Sequence, residues 1–311
     1  MQIERPILEK APAETRLASA STFDQHMSEA MNTVKEPATE SQWESVAGLL
    51  RCVECHGPVQ YQSPQALSCA ACARTFSIER GILHLGTQYQ GNNAIAAEYY
   101  NGTLWPKFRF WEYVSLYLPR GGERKARNEV LGHLPNLSGT RLLDVAMGDG
   151  RNMPLIPRDC QVFGVDISRV LLEKTKRDYP DRDTHLIVGE AESLPFPDAT
   201  FDNLFSLGAL NHVNDPGKVL REMARVVKPG GIIAVADEMP DLPNRQIAHK
   251  LGLRSLQKWI LSRVFFLGAM SEVILEHTDL KIEPLVEQAL SDWKIHRIWG
   301  GLGYCVVGKP K

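Results

Sequence analysis

Two groups of residues in this sequence have types and spacings that could do chemistry, and the first is a glycine-rich turn. Residues 146–150 (AMGDG) follow the apolar run Leu142–Val145, which is typical of a buried parallel strand. Glycines in such a turn let the backbone pass close to a ligand. A second apolar run, Gln161–Val165, ends in Asp166, 18 residues after Gly148. A doubly wound fold uses an acid at this place to bind ribose hydroxyls, so these residues predict a nucleotide pocket.

The turn does not have the spacing of a dinucleotide site. No third glycine follows Gly148 and Gly150 as GxGxxG requires, and Asp149 would repel a pyrophosphate. The pattern therefore argues against NAD or FAD. Asp144, beside the turn, favours a cationic ligand instead.

The second group consists of four cysteines in two pairs. Cys52 and Cys55 are separated by two residues, as are Cys69 and Cys72, and thirteen residues lie between the pairs. This spacing can bring four thiolates to one tetrahedral Zn²⁺ site. A module of about 35 residues has too small a hydrophobic core to fold without a structural metal or a similar crosslink. Two disulfides are the alternative, which a cytoplasmic location disfavours. We expect Zn²⁺ bound by all four cysteines.

Length, composition and charge limit the functions open to the chain. With 311 residues, 43% of them hydrophobic, it can form one large α/β core and a small module. The net charge is −2, so the chain has no overall excess of positive charge of the kind that drives binding to nucleic acid. The sequence shows no long apolar run and no apolar signal core, so we expect a cytoplasmic protein. Residues 1–45 predict a flexible extension without chemistry.

Beyond Asp166, strand patterns alternate with helical patterns. Strands are predicted at 184–188, 201–206 and 231–236, and helices at 169–179 and 216–227. Such alternation predicts a parallel sheet covered on both faces, with ligands at the carboxyl ends of its strands. A helix at 285–290 and a hairpin of strands at 293–299 and 304–308 would complete the sheet.

The glycine turn resembles the first motif of the class I S-adenosylmethionine (SAM) methyltransferases, D-x-G-x-G-x-G, with Ala146 in place of the first glycine. Residues 189–196 (GEAESLPF) are similar to the third-strand motif of that class, G-D-A-x-x-L-P-F. The resemblance implies that Asp166 binds the ribose of SAM and Glu190 its adenine amino group, while Asp144 and Gly148 lie along its methionine part. The implied cofactor-binding residues are Asp144, Ala146, Gly148, Gly150, Asp166, Ile167, Glu190, Ala191 and Leu207.

Three further motifs narrow the resemblance to the ubiquinone and menaquinone biosynthesis methyltransferases and their type 11 relatives. They are FDN at 201–203, LNHVNDP at 210–216 and RVVKPGG at 225–231. The resemblance implies a Rossmann-like, seven-stranded α/β fold, with His212 facing the transferred methyl. His212 is our candidate general base, because its pKa suits proton transfer near neutrality, and a structural histidine is the alternative. Asn211 is the second catalytic candidate, as a residue that orients the acceptor.

The cysteine segment resembles the zinc ribbons attached to some methyltransferases and the small activator subunit of tRNA and release-factor methyltransferases. This resemblance implies a structural or docking role, since four sulfur ligands leave zinc no open position. The predicted domains are an extension at 1–45, a zinc ribbon at 46–86 and a SAM-dependent methyltransferase domain at 87–311.

Two segments are candidates for covering the pocket. Helices are predicted at 106–118 and 123–134, and Tyr99 and Tyr100 before them are lid candidates. The basic run at 120–127 predicts a solvated helix start. The insertion at 239–282 contains a helix that we expect to be a lid lining the acceptor cavity, with core packing or membrane binding as alternatives. Its apolar face consists of Leu253, Leu256, Ile260, Val264 and Leu267.

The sequence thus predicts a SAM-dependent methyltransferase with SAM and Zn²⁺ as cofactors and a small-molecule or lipid-like acceptor. Peripheral membrane contact is left open, and no oligomeric state is indicated. An RNA methyltransferase is the first alternative, favoured by the ribbon and disfavoured by the net charge. The second is a non-catalytic SAM-binding scaffold that docks a partner through its ribbon.

Overall fold

The computed structural model describes residues 42–239, 251–277 and 280–311. Most of the predicted extension at 1–45 therefore lies outside the described residues. So do residues 240–250 and 278–279 of the predicted insertion.

The strands form one mixed sheet of eleven in the described part of the chain. Their order is β1-β2-β3-β4-β7-β6-β5-β8-β9-β11-β10. The strands are β1 Val59–Ser63, β2 Ala66–Cys69, β3 Thr75–Glu79, β4 Ile82–His84, β5 Arg141–Val145, β6 Gln161–Asp166, β7 Thr184–Val188, β8 Phe201–Leu207, β9 Val227–Glu238, β10 Leu290–Ile298 and β11 Gly303–Pro310. The seven strands from β7 to β10 in this order confirm the predicted Rossmann-like α/β fold, and the hairpin β10–β11 pairs antiparallel with β9 as expected.

Helices cover the sheet and connect its strands. They are α1 Gly91–Asn101, α2 Trp105–Glu112, α3 Glu123–Leu131, α4 Arg169–Asp178, α5 Pro216–Val226, α6 Arg254–Arg263, α7 Met270–Glu276 and α8 Ile282–Ala289. A π-helical turn, Tyr113–Tyr117, continues α2. The sequence predicted α2 to α5 within a few residues, but it did not predict α1.

The ribbon, residues 46–86, continues the sheet of the core. Strand β4 pairs in parallel with β7, and the Leu85 amide donates to the Val188 carbonyl at 3.2 Å. Trp43 is fully buried beneath this junction, where its indole N–H donates to the Gly81 carbonyl at 3.1 Å and its ring lies 5.5 Å from that of His185. Edge pairing satisfies backbone groups that β4 and β7 would otherwise leave open, so it anchors the ribbon firmly.

Local sequence fixes where the helices begin beside the strand ends. The Ser168 side chain accepts from the Leu171 amide at 3.2 Å and caps α4 directly after β6. Asp215 accepts from the Lys218 amide at 2.9 Å and caps α5, with Pro216 as its first residue. Both residue types are favoured N-caps, and proline is favoured at the first helical position. These caps make the chain turn sharply at the carboxyl edge of the sheet.

None of the described helices is long and apolar enough to span a membrane.

Candidate active site

The parallel strands β5 to β9 end at one edge of the sheet, and a cavity of about 630 Å³ lies there. It is lined by nine of the eleven residues that the sequence proposes for cofactor binding and catalysis. These nine are Ala146, Gly148, Asp166, Ile167, Glu190, Ala191, Leu207, Asn211 and His212. These residues come from four separate segments, which meet here because parallel strands all point their carboxyl ends toward the same edge.

The other two proposed residues, Asp144 and Gly150, do not line the cavity. Asp144 is fully buried, and one of its oxygens accepts from the Asn152 side-chain amide at 3.4 Å. Burial raises the pKa of Asp144 well above its usual value. A Cβ added at Gly150 would lie 2.8 Å from the Thr175 side chain, so this glycine permits close packing of the turn on α4. Their contact with a cofactor stays a prediction.

The glycine turn bends through positive backbone φ angles at Ala146, Gly148 and Gly150, at 60°, 59° and 71°. Alanine is strained in this region by about 1–2 kcal/mol, whereas glycine is not. A Cβ added at Gly148 would meet just Leu171 Cδ1, at 4.0 Å. The turn therefore presents bare backbone to the cavity, which lets a ligand approach closely.

Asp166 ties the turn to the end of β6. Its Oδ2 accepts from the Gly148 amide and its Oδ1 from the Ser168 amide, both at 2.7 Å. Burial raises the pKa of this carboxyl to about 6, although both amide bonds oppose the shift. Each carboxylate oxygen can accept a second hydrogen bond. The group is thus built to accept hydroxyl donors from the cavity side.

Asn93 of α1 also lines the cavity, although the sequence did not predict it. Its amide nitrogen donates to the carboxylates of Glu190 and Glu192, each at 3.0 Å. Glu192 also accepts from the Asn214 amide at 3.0 Å. No motif or periodicity marks Asn93, since its position depends on α1 folding back over the strand ends.

His212 is held by its Nδ1 atom. That nitrogen lies 3.1 Å from the Gly208 carbonyl oxygen and 3.1 Å from the Tyr100 hydroxyl. A carbonyl can only accept, so Nδ1 carries the proton and Nε2 is the basic nitrogen of the neutral ring. Partial burial raises the pKa of Tyr100 well above its usual value, so the phenol stays neutral.

Asn211 is oriented by the end of β9. Its Nδ2 donates to Asp237 Oδ1 at 2.8 Å and to the Glu238 carbonyl at 3.0 Å. Its Oδ1 is buried and has no hydrogen-bond partner among the described residues. A buried acceptor without a donor is costly. The geometry therefore leaves Asn211 Oδ1 ready to accept from a ligand.

An ion-pair network that the sequence analysis missed forms another wall. Arg127 donates to Glu123 at 2.7 Å and to Asn152 at 2.9 Å, and Arg109 pairs with Glu112 and Glu123. The prediction that residues 120–127 form a solvated helix start was wrong for Arg127, which is only 9% exposed. Its partner Asn152 comes from another part of the chain, 25 residues away, so sequence spacing did not reveal its burial. Burial also raises the pKa of Glu112, against the effect of Arg109.

Aromatic and aliphatic side chains cover the end of the cavity near His212. Tyr99 and Tyr100, the lid candidates, line it together with Trp105 and Phe108. From the predicted insertion, Leu253, Leu256, Ile260 and Leu267 line it as well, whereas Val264 does not. That these segments act as a lid stays a prediction.

The four ribbon cysteines lie together, away from this cavity. Their sulfurs are all within 4.8 Å of one another, with Cys52 to Cys72 at 3.8 Å and Cys55 to Cys69 at 3.4 Å. Four sulfurs around zinc at bond lengths of about 2.3 Å would be about 3.8 Å apart. The cluster thus fits a tetrahedral zinc site.

Known proteins resemble this chain over its sheet. Residues 143–235, from β5 into β9, match the model of a methyltransferase domain. The chain is 40% identical to a demethylmenaquinone methyltransferase of Renibacterium salmoninarum over 39% of this chain and 50% of that one. It is 35% identical to a 27-O-demethylrifamycin SV methyltransferase of Amycolatopsis mediterranei, over 41% and 49% of the two chains. The chain thus spans about half the length of these relatives.

A solved structure, a SAM-dependent methyltransferase from Aquifex aeolicus, is similar at 18% identity and a TM-score of 0.40, over 65% of this chain and 96% of that one. The strand order is that of the Rossmann-like class I SAM methyltransferase fold, and the matched segment is similar to a methyltransferase domain. Within that class, its sequence relatives include menaquinone and rifamycin methyltransferases.

Proposed function

We propose that this protein is a SAM-dependent methyltransferase that methylates a small-molecule or lipid-like acceptor. The observation that carries the proposal is the cavity itself, with acids suited to a nucleoside at one end and His212 and Asn211 in an aromatic end. Relatives that act on quinones and on rifamycin support a small acceptor.

The cavity wall fits SAM. Asp166 would accept from the ribose hydroxyls, and Glu190 would accept from the adenine amino group. Open space above Gly148 and Gly208, where added Cβ atoms meet nothing closer than 4.0 Å, leaves room for the rest of the ligand. When bound, SAM supplies a methyl group on a sulfonium leaving group, so the protein need only position and desolvate the acceptor.

His212 would take the proton of an acceptor that must lose one. The Gly208 carbonyl keeps the proton on Nδ1, so the other ring nitrogen is the basic one. Asn211 Oδ1 would accept a hydrogen bond from the acceptor and so orient it. Exclusion of water by Trp105, Phe108 and Phe265 favours an acceptor with an apolar body.

We propose that the ribbon binds one Zn²⁺ through Cys52, Cys55, Cys69 and Cys72 in a structural role. Four thiolates would fill a tetrahedral site and leave zinc no open position at which to activate water. Thiolate ligands of this kind would suit a cytoplasmic location, where thiols stay reduced.

The experiment is transfer of a labelled methyl group from SAM to fractions of a cell extract. We expect label in the organic-soluble fraction and a 10²- to 10⁴-fold loss in His212→Gln, the range for a general base. Label in RNA would favour the RNA methyltransferase instead. SAM binding by calorimetry without transfer to any fraction would favour the scaffold.

A further inference from the structure

In the described part of the chain, the exposed large apolar side chains are concentrated in two segments. Eleven large hydrophobic residues are exposed, and all but Val170 come from two segments, 110–118 and 251–264. Phe110 is 62% exposed and Trp259 58%. The members are Phe110, Trp111, Tyr113, Leu118, Leu251, Leu253, Leu256, Trp259, Ile260 and Val264. Single exposed hydrophobics need no explanation, but a concentration of this kind marks an interaction surface.

The two segments belong to one structure. Leu104, Trp105 and Phe108 pack in one cluster with Leu261 and Phe265. Lys107 of α2 also lies 5.7 Å from the centre of the Phe266 ring. We call the ten exposed residues of the two segments, as named above, the apolar rim.

The apolar rim is continuous with the cavity. Leu253, Leu256 and Ile260 are both exposed and part of the cavity wall, and Trp105 and Phe108 line the cavity beside Phe110. A hydrophobic molecule bound to the rim would therefore contact side chains that also line the cavity in which His212 lies.

The charges of the rim are mostly basic. Helix α6, Arg254–Arg263, carries Arg254, Lys258 and Arg263 and no acid, and α2 adds Lys107. Glu272 of α7 pairs with Lys258 at 2.5 Å and offsets one of these charges. Basic side chains among exposed Trp, Tyr, Phe and Leu suit the interface of an anionic bilayer.

We propose that the apolar rim docks on an anionic lipid bilayer, from which a lipid-like acceptor passes directly into the cavity. A protein seated on the same surface would cover the cavity mouth, whereas a bilayer covers the rim and supplies the acceptor. The inference deepens the proposed function, because it rests on an acceptor of lipid-like chemistry. Docking itself needs neither SAM nor catalysis.

The test is flotation of the full chain with vesicles of phosphatidylcholine, alone or with phosphatidylglycerol. We expect binding to the mixed vesicles that weakens with salt. Trp259→Ala should reduce it about tenfold, through lost apolar burial. Gln at Arg254, Lys258 and Arg263 together should reduce it by about a hundredfold, at about fivefold for each charge. In the control, Gln at the exposed Lys218, Lys294 and Lys311 removes equal charge elsewhere and should leave binding unchanged.

Equal loss in the control variant, or no binding to mixed vesicles, would overturn the proposal. Light scattering that shows dimers lost in Trp259→Ala, without vesicle binding, would assign the rim to a second copy of the chain. Calorimetry with SAM on the same samples separates the two proposals. Methyl transfer without vesicle binding would overturn only the proposed docking surface. Vesicle binding without SAM binding would overturn only the proposed methyltransferase function.

Discussion

At the scale of a single residue, the Asp166 carboxylate holds the glycine turn, and we propose that it also binds the ribose of SAM. Ribose hydroxyls need the ionised form as their acceptor. Burial raises the pKa of Asp166 to about 6. We therefore expect SAM affinity to be constant above about pH 7 and to fall below about pH 6, by up to tenfold per pH unit. Calorimetry across this range checks the prediction.

Replacing this carboxylate should remove the pH dependence as well as affinity. Asp166→Ala should weaken SAM binding by about 1.5–3 kcal/mol, as for loss of a charge-assisted hydrogen bond, and flatten the profile. Asp181→Ala, in an exposed turn, is the control and should change neither. A variant that keeps the wild-type profile would show that the ribose is bound elsewhere. The contribution of this carboxyl to folding has the opposite sign: its raised pKa stabilises the fold below about pH 4, and this is lost as the pH rises through about 6.

Ala146 is a second residue whose replacement is informative. Its backbone φ of 60° is strained for alanine, and its methyl group lies where the class I motif D-x-G-x-G-x-G has a glycine. Ala146→Gly should raise the free energy of unfolding by about 0.5–1 kcal/mol and tighten SAM binding about threefold. Ala199, in an exposed turn at a φ of 54°, provides the matched control. Ala199→Gly should give a similar gain in denaturant unfolding with no change in SAM affinity, and equal affinities in both variants would count against ligand contact at Ala146.

The ribbon and the strand ends are coupled at the scale of elements. The Leu85 amide bonds to the end of β7, directly before Gly189 and Glu190. The Arg51 amide donates to the Pro195 carbonyl at 2.9 Å, so the ribbon also holds the loop after β7. From sequence alone, a ribbon and a nucleotide pocket in separate segments give no reason for coupling.

A substitution that disrupts the ribbon should therefore also weaken SAM binding, through the end of the cavity at Glu190. Cys69→Ser should lower the zinc content from about one per chain and weaken SAM binding about fivefold, as for loss of roughly 1 kcal/mol of hydrogen bonding. Elemental analysis measures the zinc content, and calorimetry measures the SAM affinity. Cys160→Ser, at a buried cysteine outside the ribbon, should keep its zinc. Full zinc in Cys69→Ser would contradict the proposed site, and lost zinc with unchanged SAM affinity would contradict the coupling.

The eleven-stranded sheet has a consequence at the scale of the whole molecule. The described residues form one compact unit, and Trp43 is buried where the ribbon meets the core. We expect this unit to unfold in one cooperative step, with calorimetric and van't Hoff enthalpies that agree. SAM at about 100 times its dissociation constant should stabilise the whole unit by about 2.7 kcal/mol. Two calorimetric transitions, with just one moved by SAM, would show that the ribbon unfolds separately.

Local sequence determined the α/β class, the core strands and the positions of nine of the eleven proposed site residues in the cavity wall. Strand ends, glycine turns and N-caps are coded within a few neighbouring residues, so motifs such as AMGDG and GEAESLPF predicted them. The tertiary structure alone decided the pairing of β4 with β7, the burial of Arg127 beside Asn152, and the bridge from Asn93 to Glu190. Each of these joins segments at least 25 residues apart, as Arg127 and Asn152 are. Such contacts form only when the chain folds back on itself, and no spacing within one segment encodes them.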